Sequence, residues 1–75
     1  MSKPFEFTII AHEAEEGGYW TEVVGLAGAG SQGETLEEAI ENTKDSIQGV
    51  IEVMREEGQE IREPHDVVVK VTVAA

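Results

Sequence analysis

The chain lacks several features on which small proteins commonly depend. Its 75 residues include no cysteine, so disulfides and zinc ribbons are excluded, and two histidines, His12 and His65, are too few for an ordinary structural zinc site. No apolar run approaches the roughly 20 residues of a membrane helix, and residues 1–4 lack the layout of a signal peptide. We therefore expect a cytoplasmic protein with no cofactor and no membrane span.

Basic residues are also scarce. Five lysines and arginines stand against 16 acidic residues, which gives a net charge of −11. This charge repels nucleic acid phosphates and favours association with a basic surface. It also suits an acidic surface that only keeps a small protein soluble. The composition therefore argues against direct nucleic acid binding and leaves both explanations of the acidity open.

The length fits a single domain over residues 1–75. A chain of this size buries only about 60% of the surface that its unfolded form exposes, so its own core stabilises it weakly. Because disulfides and structural metal are excluded, self-association is the remaining source of stability. We expect a homo-oligomer, a dimer or higher.

The first third of the chain reads as two strands joined by a hairpin. Residues 5–12 alternate and are rich in β-formers, residues 13–18 supply charge and two glycines, and residues 19–24 resume strand character. The two strands should pair antiparallel. Four glycines crowd residues 25–33, which fits either a bend or a short third strand.

A helix is predicted from Leu36 to near Gly58. Thr35 is its N-cap, and Thr-x-x-Glu predicts a capping box in which the Glu38 carboxylate returns to the N–H of Thr35. Gly58 stands where a left-handed C-terminal residue belongs. One apolar stripe would cover a sheet; it comprises Leu36, Ala39, Ile40, Thr43, Ile47, Val50, Ile51 and Met54. Gly49 lies inside the helix, where it either lowers stability or permits a close approach.

Residues 67–73 give the strongest strand signal in the chain. Valine occupies both faces of the first half of this segment, whereas a solvent-facing edge strand would normally carry charge. The segment is therefore either central in the sheet or covered by another subunit. The residues that we expect at the contact between subunits are Val67, Val69, Val71 and Val73.

Two neighbouring motifs carry a resemblance to a known family. Gly17-Gly18-Tyr19-Trp20 begins a strand, and Ser31-Gln32-Gly33-Glu34-Thr35-Leu36-Glu37-Glu38-Ala39 leads into the capped helix. The combination resembles the HicB-like antitoxin family over more than half of the chain. The resemblance implies a ribonuclease H-like half-domain and favours a short third strand at residues 29–32. It also implies a binding partner, a small basic mRNA-cleaving toxin of the HicA type whose active-site histidine would be masked.

The chain departs from the family pattern in three places. Family members commonly carry proline where Val24 and Ala27 stand, and often cysteine in place of Ala29. Many members continue into a helix-turn-helix or ribbon-helix-helix module, whereas this sequence runs to Ala75 without one. The resemblance is therefore to a short member, and it carries no implication of DNA autorepression.

The predicted fold is α+β with two layers. The element order β-β-β-α-β gives a sheet of three to four strands with one helix on one face, which leaves the other sheet face bare. Ile10, Trp20 and Val68 would supply an exposed apolar patch on that bare face. Such a patch is the usual mark of a partner interface.

Partner contacts are predicted at two aromatic and three acidic residues. Tyr19 and Trp20 point to opposite faces of one strand, so one should reach the bare side as an anchor, unless both pack within the subunit. Glu34, Glu37 and Glu41 cluster near the helix start, where they would pair with basic residues of a toxin, although helix capping explains some of them.

No catalytic or metal-binding constellation is visible in the sequence. His12 and His65 lack a nucleophile motif and a second histidine at ligand spacing, so we expect solvated surface histidines and a protein that is not an enzyme. The leading hypothesis is an antitoxin that neutralises its toxin by occlusion. The alternative is a stand-alone homo-oligomeric relative that binds a small ligand or an unrelated protein.

Overall fold

A computed structural model describes residues 5–62 and 69–74. Three strands form one antiparallel sheet in the order β1-β2-β3, and one helix, α1, packs on a single face. The bounds are β1 Ile9–Glu13, β2 Tyr19–Val23, β3 Gln32–Gly33 and α1 Leu36–Glu56. The predicted α+β arrangement is confirmed at this level, whereas the ribonuclease H-like relationship stays a prediction.

The hairpin between β1 and β2 forms where the sequence places it. The N–H of Ala14 donates to the carbonyl of Gly18 at 3.0 Å, and Gly18 adopts a left-handed φ of 82° that glycine reaches without a steric cost. This turn sets the register, in which His12 lies opposite Trp20 and Ile10 opposite Glu22. The hairpin therefore decides which side chains become cross-strand neighbours.

The third strand is shorter and later than predicted. We expected residues 29–32, but β3 comprises only Gln32–Gly33, opposite Tyr19 and Trp20. The chain makes a turn at residues 26–29, where the N–H of Ala29 bonds to the carbonyl of Leu26 at 3.3 Å, and before β3 only the carbonyl of Ser31 accepts a backbone N–H from β2, that of Thr21 at 2.8 Å. Gly33 lies against α1 so closely that an added Cβ would sit 2.5 Å from the Ala39 nitrogen.

Both ends of α1 are capped by their own sequence. The Thr35 hydroxyl accepts from the N–H of Glu38 at 3.1 Å, as the motif predicts. The Glu38 carboxylate, however, accepts from the N–H of Glu34 at 3.0 Å and not from that of Thr35, so it reaches one residue further back.

At the C-terminal end, the N–H of Gly58 bonds to the Arg55 carbonyl at 3.1 Å and the N–H of Gln59 to the Met54 carbonyl at 2.8 Å. This is a Schellman motif, and Gly58 supplies its left-handed residue with φ of 74°. The helix therefore ends where the sequence predicts.

The core lies between β2 and the predicted apolar stripe of α1. Val23, Ala29 and Ile47 form its buried centre, while Ala39 and Thr43 are also buried. Partly buried side chains complete it: Phe7, Ile9, Leu26, Val50 and Ile51. Leu36, which we assigned to the stripe, is 44% exposed because it lies in the first turn, beyond the core cluster.

Two buried threonines connect the sheet to the helix through a chain of hydrogen bonds. The Thr43 hydroxyl donates to the Ala39 carbonyl at 2.6 Å and lies 2.6 Å from the Thr21 hydroxyl. Thr43 donates its only hydroxyl proton to the Ala39 carbonyl. The Thr21 hydroxyl is therefore the donor in its bond with the Thr43 hydroxyl. Thr21 in turn accepts the N–H of Ser31 at 2.8 Å. Both hydroxyls thus have hydrogen-bond partners, as buried polar groups require.

The ends of the chain differ from the prediction. The first strand begins at Ile9 and not at Phe5, although the N–H of Val24 still bonds to the carbonyl of Thr8 at 2.9 Å. The predicted final strand is absent from the single chain over residues 69–73, because this segment is exposed and no described strand pairs with it. Val67, Val68 and His65 lie outside the described residues.

Candidate partner-binding surface

One face of the sheet is not covered by α1. Thr21 and Val23 point towards the helix and are buried, so the alternate residues of β2 point the other way. With their cross-strand neighbours on β1 they form a surface that we call the open sheet face. It comprises Ile10, His12, Trp20, Glu22 and Val24. Trp20 is 44% exposed there, which makes it the principal aromatic group on this surface.

The centre of the open sheet face is an ordered cluster of three side chains. The rings of His12 and Trp20 stack with their centroids 4.1 Å apart and their planes inclined by 19°. His12 Nε2 lies 2.8 Å from Glu22 Oε2, so the imidazole is fixed on one side by a carboxylate. His12 is a surface residue, as expected, with its side chain 36% exposed, but the hairpin register also gives it two partners that the sequence analysis did not predict.

A second feature adjoins the open sheet face at the hairpin end. A solvent-open depression of about 630 Å³ lies between the hairpin, β3 and the first turns of α1, and we call it the acidic hollow. It is lined by both Tyr19 and Trp20 and by three glutamates, Glu16, Glu34 and Glu38. None of its described lining residues is lysine or arginine. The hollow is therefore suited to a cationic group.

The structure separates the predicted contact residues into two sets. Tyr19, Trp20 and Glu34 line the acidic hollow together. Glu37 is exposed in the first turn of α1 but does not line the hollow, and Glu41 lies on the other flank of the helix, where its carboxylate accepts from Lys44 at 3.2 Å. Thus three of the five residues share one site.

Four contributors to this surface were not identified from sequence as contact residues. His12, Glu22, Glu16 and Glu38 join it because the hairpin turn and the helix cap bring them there. The register of the hairpin would have identified His12 as the neighbour of Trp20. The residue spacing alone does not give that register.

The other flank of α1 forms a groove with β1. This β1–α1 groove has a volume of about 640 Å³ and an apolar floor made of Phe5, Phe7, Ile9, Ile47 and Ile51. Charged side chains rim it, among them Lys44, Asp45 and Arg55. It is therefore distinct in chemistry from the acidic hollow.

The described residues offer no centre for metal chemistry. Within residues 5–62 and 69–74, no three His, Asp or Glu side chains converge in a way that could hold an ion. In the same part of the chain, no helix has the length and apolar character needed to cross a bilayer. The surface as described supports recognition through shape, aromatic contact and charge.

Comparison with known proteins shows the family. The family model described as the HicB-like antitoxin of bacterial toxin–antitoxin systems matches residues 7–73, and the chain belongs to this family. The match extends over both strands of the hairpin, the acidic hollow, α1 and the tail. The resemblance inferred from the two motifs is thereby confirmed, and membership of the family supports an antitoxin role in general terms.

Two relatives are similar along the chain. The UPF0150 protein Ta0767 of Thermoplasma acidophilum is 34% identical over 70 residues, covering 93% of this chain and 99% of that protein. The UPF0150 protein ssl0738 of a Synechocystis strain is 43% identical over 47 residues, covering 63% of this chain and 65% of that protein. The chain thus matches somewhat less than two thirds of the cyanobacterial protein.

Proposed function

We propose that this protein is a non-enzymatic antitoxin that binds and masks a small, basic, mRNA-cleaving toxin of the HicA type. Membership of the antitoxin family supports a toxin partner in general. The basic character of that partner is inferred from the acidic hollow, where three glutamates surround two aromatic side chains without a lysine or arginine among the described lining residues. That hollow is the observation on which the proposal depends.

The net charge of the protein and the shape of its exposed surface contribute to binding at different stages. The net charge of −11 attracts a basic enzyme from a distance and accelerates encounter, while it repels the RNA on which such an enzyme acts. Trp20 then supplies the apolar contact area, since large exposed aromatics dominate interface energies. The stack on His12 and the bond from His12 to Glu22 hold this surface in one arrangement before the partner arrives.

Occlusion is sufficient for inhibition. A ribonuclease that depends on an active-site histidine must admit its substrate phosphate to that residue, and a partner placed over such a basic site excludes the substrate and replaces its negative charge. The carboxylates of Glu16 and Glu34 are the candidates for pairing with the toxin's basic residues, since both line the hollow. Glu37, exposed in the first turn of α1, remains a proposed contact beside this surface. Glu41 remains a proposed contact on the opposite flank of the helix, where it lines the β1–α1 groove.

The test uses co-expression with a small basic ribonuclease encoded beside this chain. The wild-type chain should restore growth, and the purified pair should form a complex in titration calorimetry. Trp20→Ala should weaken binding by roughly 30-fold, the equivalent of about 2 kcal/mol at an interface hot spot. The matched control is Leu36→Ala, because Leu36 has the same 44% exposure but lies outside the hollow.

The charge contribution is tested separately. Glu34→Gln should weaken the complex, whereas Glu52→Gln, which removes the same charge from an exposed helix position outside both the hollow and the groove, should change it little. If Leu36→Ala and Trp20→Ala lower the affinity equally, or if no basic neighbour binds at all, the proposed toxin-masking role is wrong.

A second candidate function is a stand-alone oligomer that binds a small ligand in the hollow. The volume of about 630 Å³ favours it, since it lies within the range of ligand sites. Gene context separates the two candidates, because an antitoxin requires a toxin gene nearby.

A further inference from the structure

The two faces of the Trp20 indole have different surroundings. One face is covered by the His12 imidazole of β1, with the ring centroids 4.1 Å apart and the planes inclined by 19°. Neighbouring strands lie about 4.8 Å apart, so a ring stacked on its cross-strand neighbour turns its second face towards the strand on the other side, which is β3. Trp20 lines the acidic hollow beside β3 and is 44% exposed. The hollow therefore has a flat aromatic wall that is available to a partner.

The carboxylates around this wall lack a cation. Glu16 and Glu34 are exposed and line the hollow, and within residues 5–62 and 69–74 neither side chain belongs to an ion pair. Glu38 uses one carboxylate oxygen on the N–H of Glu34, which leaves the second oxygen for another donor. A cationic group in the hollow is thus surrounded by three carboxylates and one aromatic face.

The walls of the hollow are fixed by the fold. On the β3 side, the Asn42 amide of α1 donates to the Gln32 carbonyl at 2.8 Å, and the Glu38 carboxylate accepts the N–H of Glu34 at 3.0 Å. On the hairpin side, the N–H of Ala14 donates to the carbonyl of Gly18 at 3.0 Å and closes the turn that carries Glu16. Because these groups are positioned before a ligand enters, binding costs less conformational entropy.

An aromatic wall next to several carboxylates favours arginine over lysine. The guanidinium group is planar and weakly hydrated, stacks on aromatic faces and donates two parallel hydrogen bonds to a carboxylate. The lysine ammonium is a compact charge that holds its water strongly. In a hollow that is open to solvent, an ammonium keeps much of that water and gains little from the indole, whereas a guanidinium lies flat on it. The geometry therefore matches a guanidinium group.

Apolar side chains beside the hollow indicate that a protein carries this group. Ile10 and Val24 are half-buried on the open sheet face, on the same side of the sheet as Trp20. A small free cation in the hollow would leave both exposed, whereas an arginine on a protein surface brings neighbouring side chains that cover them. The net charge of −11 also favours a basic protein segment.

We propose that the acidic hollow accepts one arginine side chain of a protein partner. The guanidinium lies on the face of Trp20 that His12 leaves free, and it is bonded to the carboxylates of Glu16 and Glu34. This inference rests on the proposed function, in which the hollow meets the partner, and it adds which side chain the partner must supply.

Trp20 is the only tryptophan in the chain, so its fluorescence reports directly on the hollow. The probes are acetyl-Leu-Arg-Leu-amide and the same peptide with lysine or with neutral citrulline in place of arginine. The arginine peptide should bind saturably with a Kd at least about threefold lower than that of the lysine peptide, and the citrulline peptide should not saturate. Equal affinities for arginine and lysine, or no saturation by the arginine peptide up to about 20 mM, would overturn the proposal.

Two further measurements locate the bound group and identify its carrier. Glu16→Gln should raise the Kd of the arginine peptide at least about threefold, whereas Glu15→Gln, in the same hairpin loop but outside the hollow, should change it less than about 1.5-fold. Circular dichroism verifies that both variants fold. Equal effects of the two changes, or free L-argininamide binding as tightly as the peptide, would refute an arginine carried by a protein.

The peptides require no toxin, so the two hypotheses fail separately. A hollow that selects arginine in a chain that binds no toxin would refute the proposed function alone. A toxin that binds while the peptides show no preference for arginine would refute this inference alone.

Discussion

At the scale of the residue, the glycines differ in whether their surroundings leave room for a side chain. Gly33 has no room for a side chain, because an added Cβ would lie 2.5 Å from the Ala39 nitrogen. Gly49 faces open space, with nothing within 4 Å of an added Cβ. The sequence alone left two explanations of Gly49 open, and the contact with a neighbouring backbone is now excluded for the described residues.

Gly49→Ala should therefore stabilise the protein. Gly49 lies inside α1, where alanine is favoured over glycine by about 1 kcal/mol. For a domain of this size, 1 kcal/mol corresponds to a rise of roughly 4–8 °C in Tm, which thermal denaturation followed by circular dichroism would detect. Gly33→Ala is the control and should lower Tm. A Gly49→Ala variant that melts at or below the wild-type temperature would contradict this account.

The stacking of His12 on Trp20 could not be predicted from the identities of the two residues alone. Both residues are visible in the sequence, but they become neighbours only through the register His12↔Trp20. That register depends on how many residues the turn uses, and the sequence 13–18 fits more than one turn. The exposure of one aromatic residue on the uncovered sheet face was therefore predictable, whereas its stacking partner was not.

At the scale of the element, the helix was the most predictable part of the fold. Thr35, Glu38 and Gly58 act through local bonds whose partners lie within five residues, so their effect can be derived from spacing. The third strand was less predictable, because its two residues are set by Tyr19 and Trp20 across the sheet. The final strand is absent over the described residues 69–73, because a strand requires a hydrogen-bonded neighbour and none of the described strands pairs with this segment.

The buried Thr21–Thr43 pair connects the sheet and the helix, and its removal is a test at this scale. Thr43→Val should cost about 1 kcal/mol in the free energy of unfolding, since Thr21 keeps an alternative acceptor in the Ser31 carbonyl at 3.2 Å. Thr21→Val should cost more, because it also deprives the N–H of Ser31 of its acceptor.

The double variant Thr21→Val/Thr43→Val should cost less than the sum of the two single changes, since each single change leaves a partner behind. Urea denaturation measures all three variants, with the exposed Thr8→Val as a control expected within about 0.5 kcal/mol of wild type. Additive costs would show that the two hydroxyls do not act as a pair.

At the scale of the whole molecule, the net charge of −11 should affect the proposed binding of a toxin and the predicted self-association in opposite directions. A basic toxin is attracted, so raising NaCl from 0.05 to 0.5 M should weaken its binding as the charges are screened. Two copies of this chain repel each other, so the same salt should strengthen self-association. Titration calorimetry and sedimentation equilibrium measure the two constants, and salt effects of the same sign would refute this electrostatic description.

The contacts between β3 and α1 affect how the proposed binding surface is lost when the protein unfolds. The Asn42 amide donates to the Gln32 carbonyl at 2.8 Å, Gly33 rests on Ala39, and the Glu38 carboxylate holds the Glu34 N–H. A two-residue strand on its own would fray in water, but here every residue of it is secured to the helix. We therefore expect the proposed binding surface to melt together with the rest of the fold, so that a chain is either fully competent to bind or open to degradation.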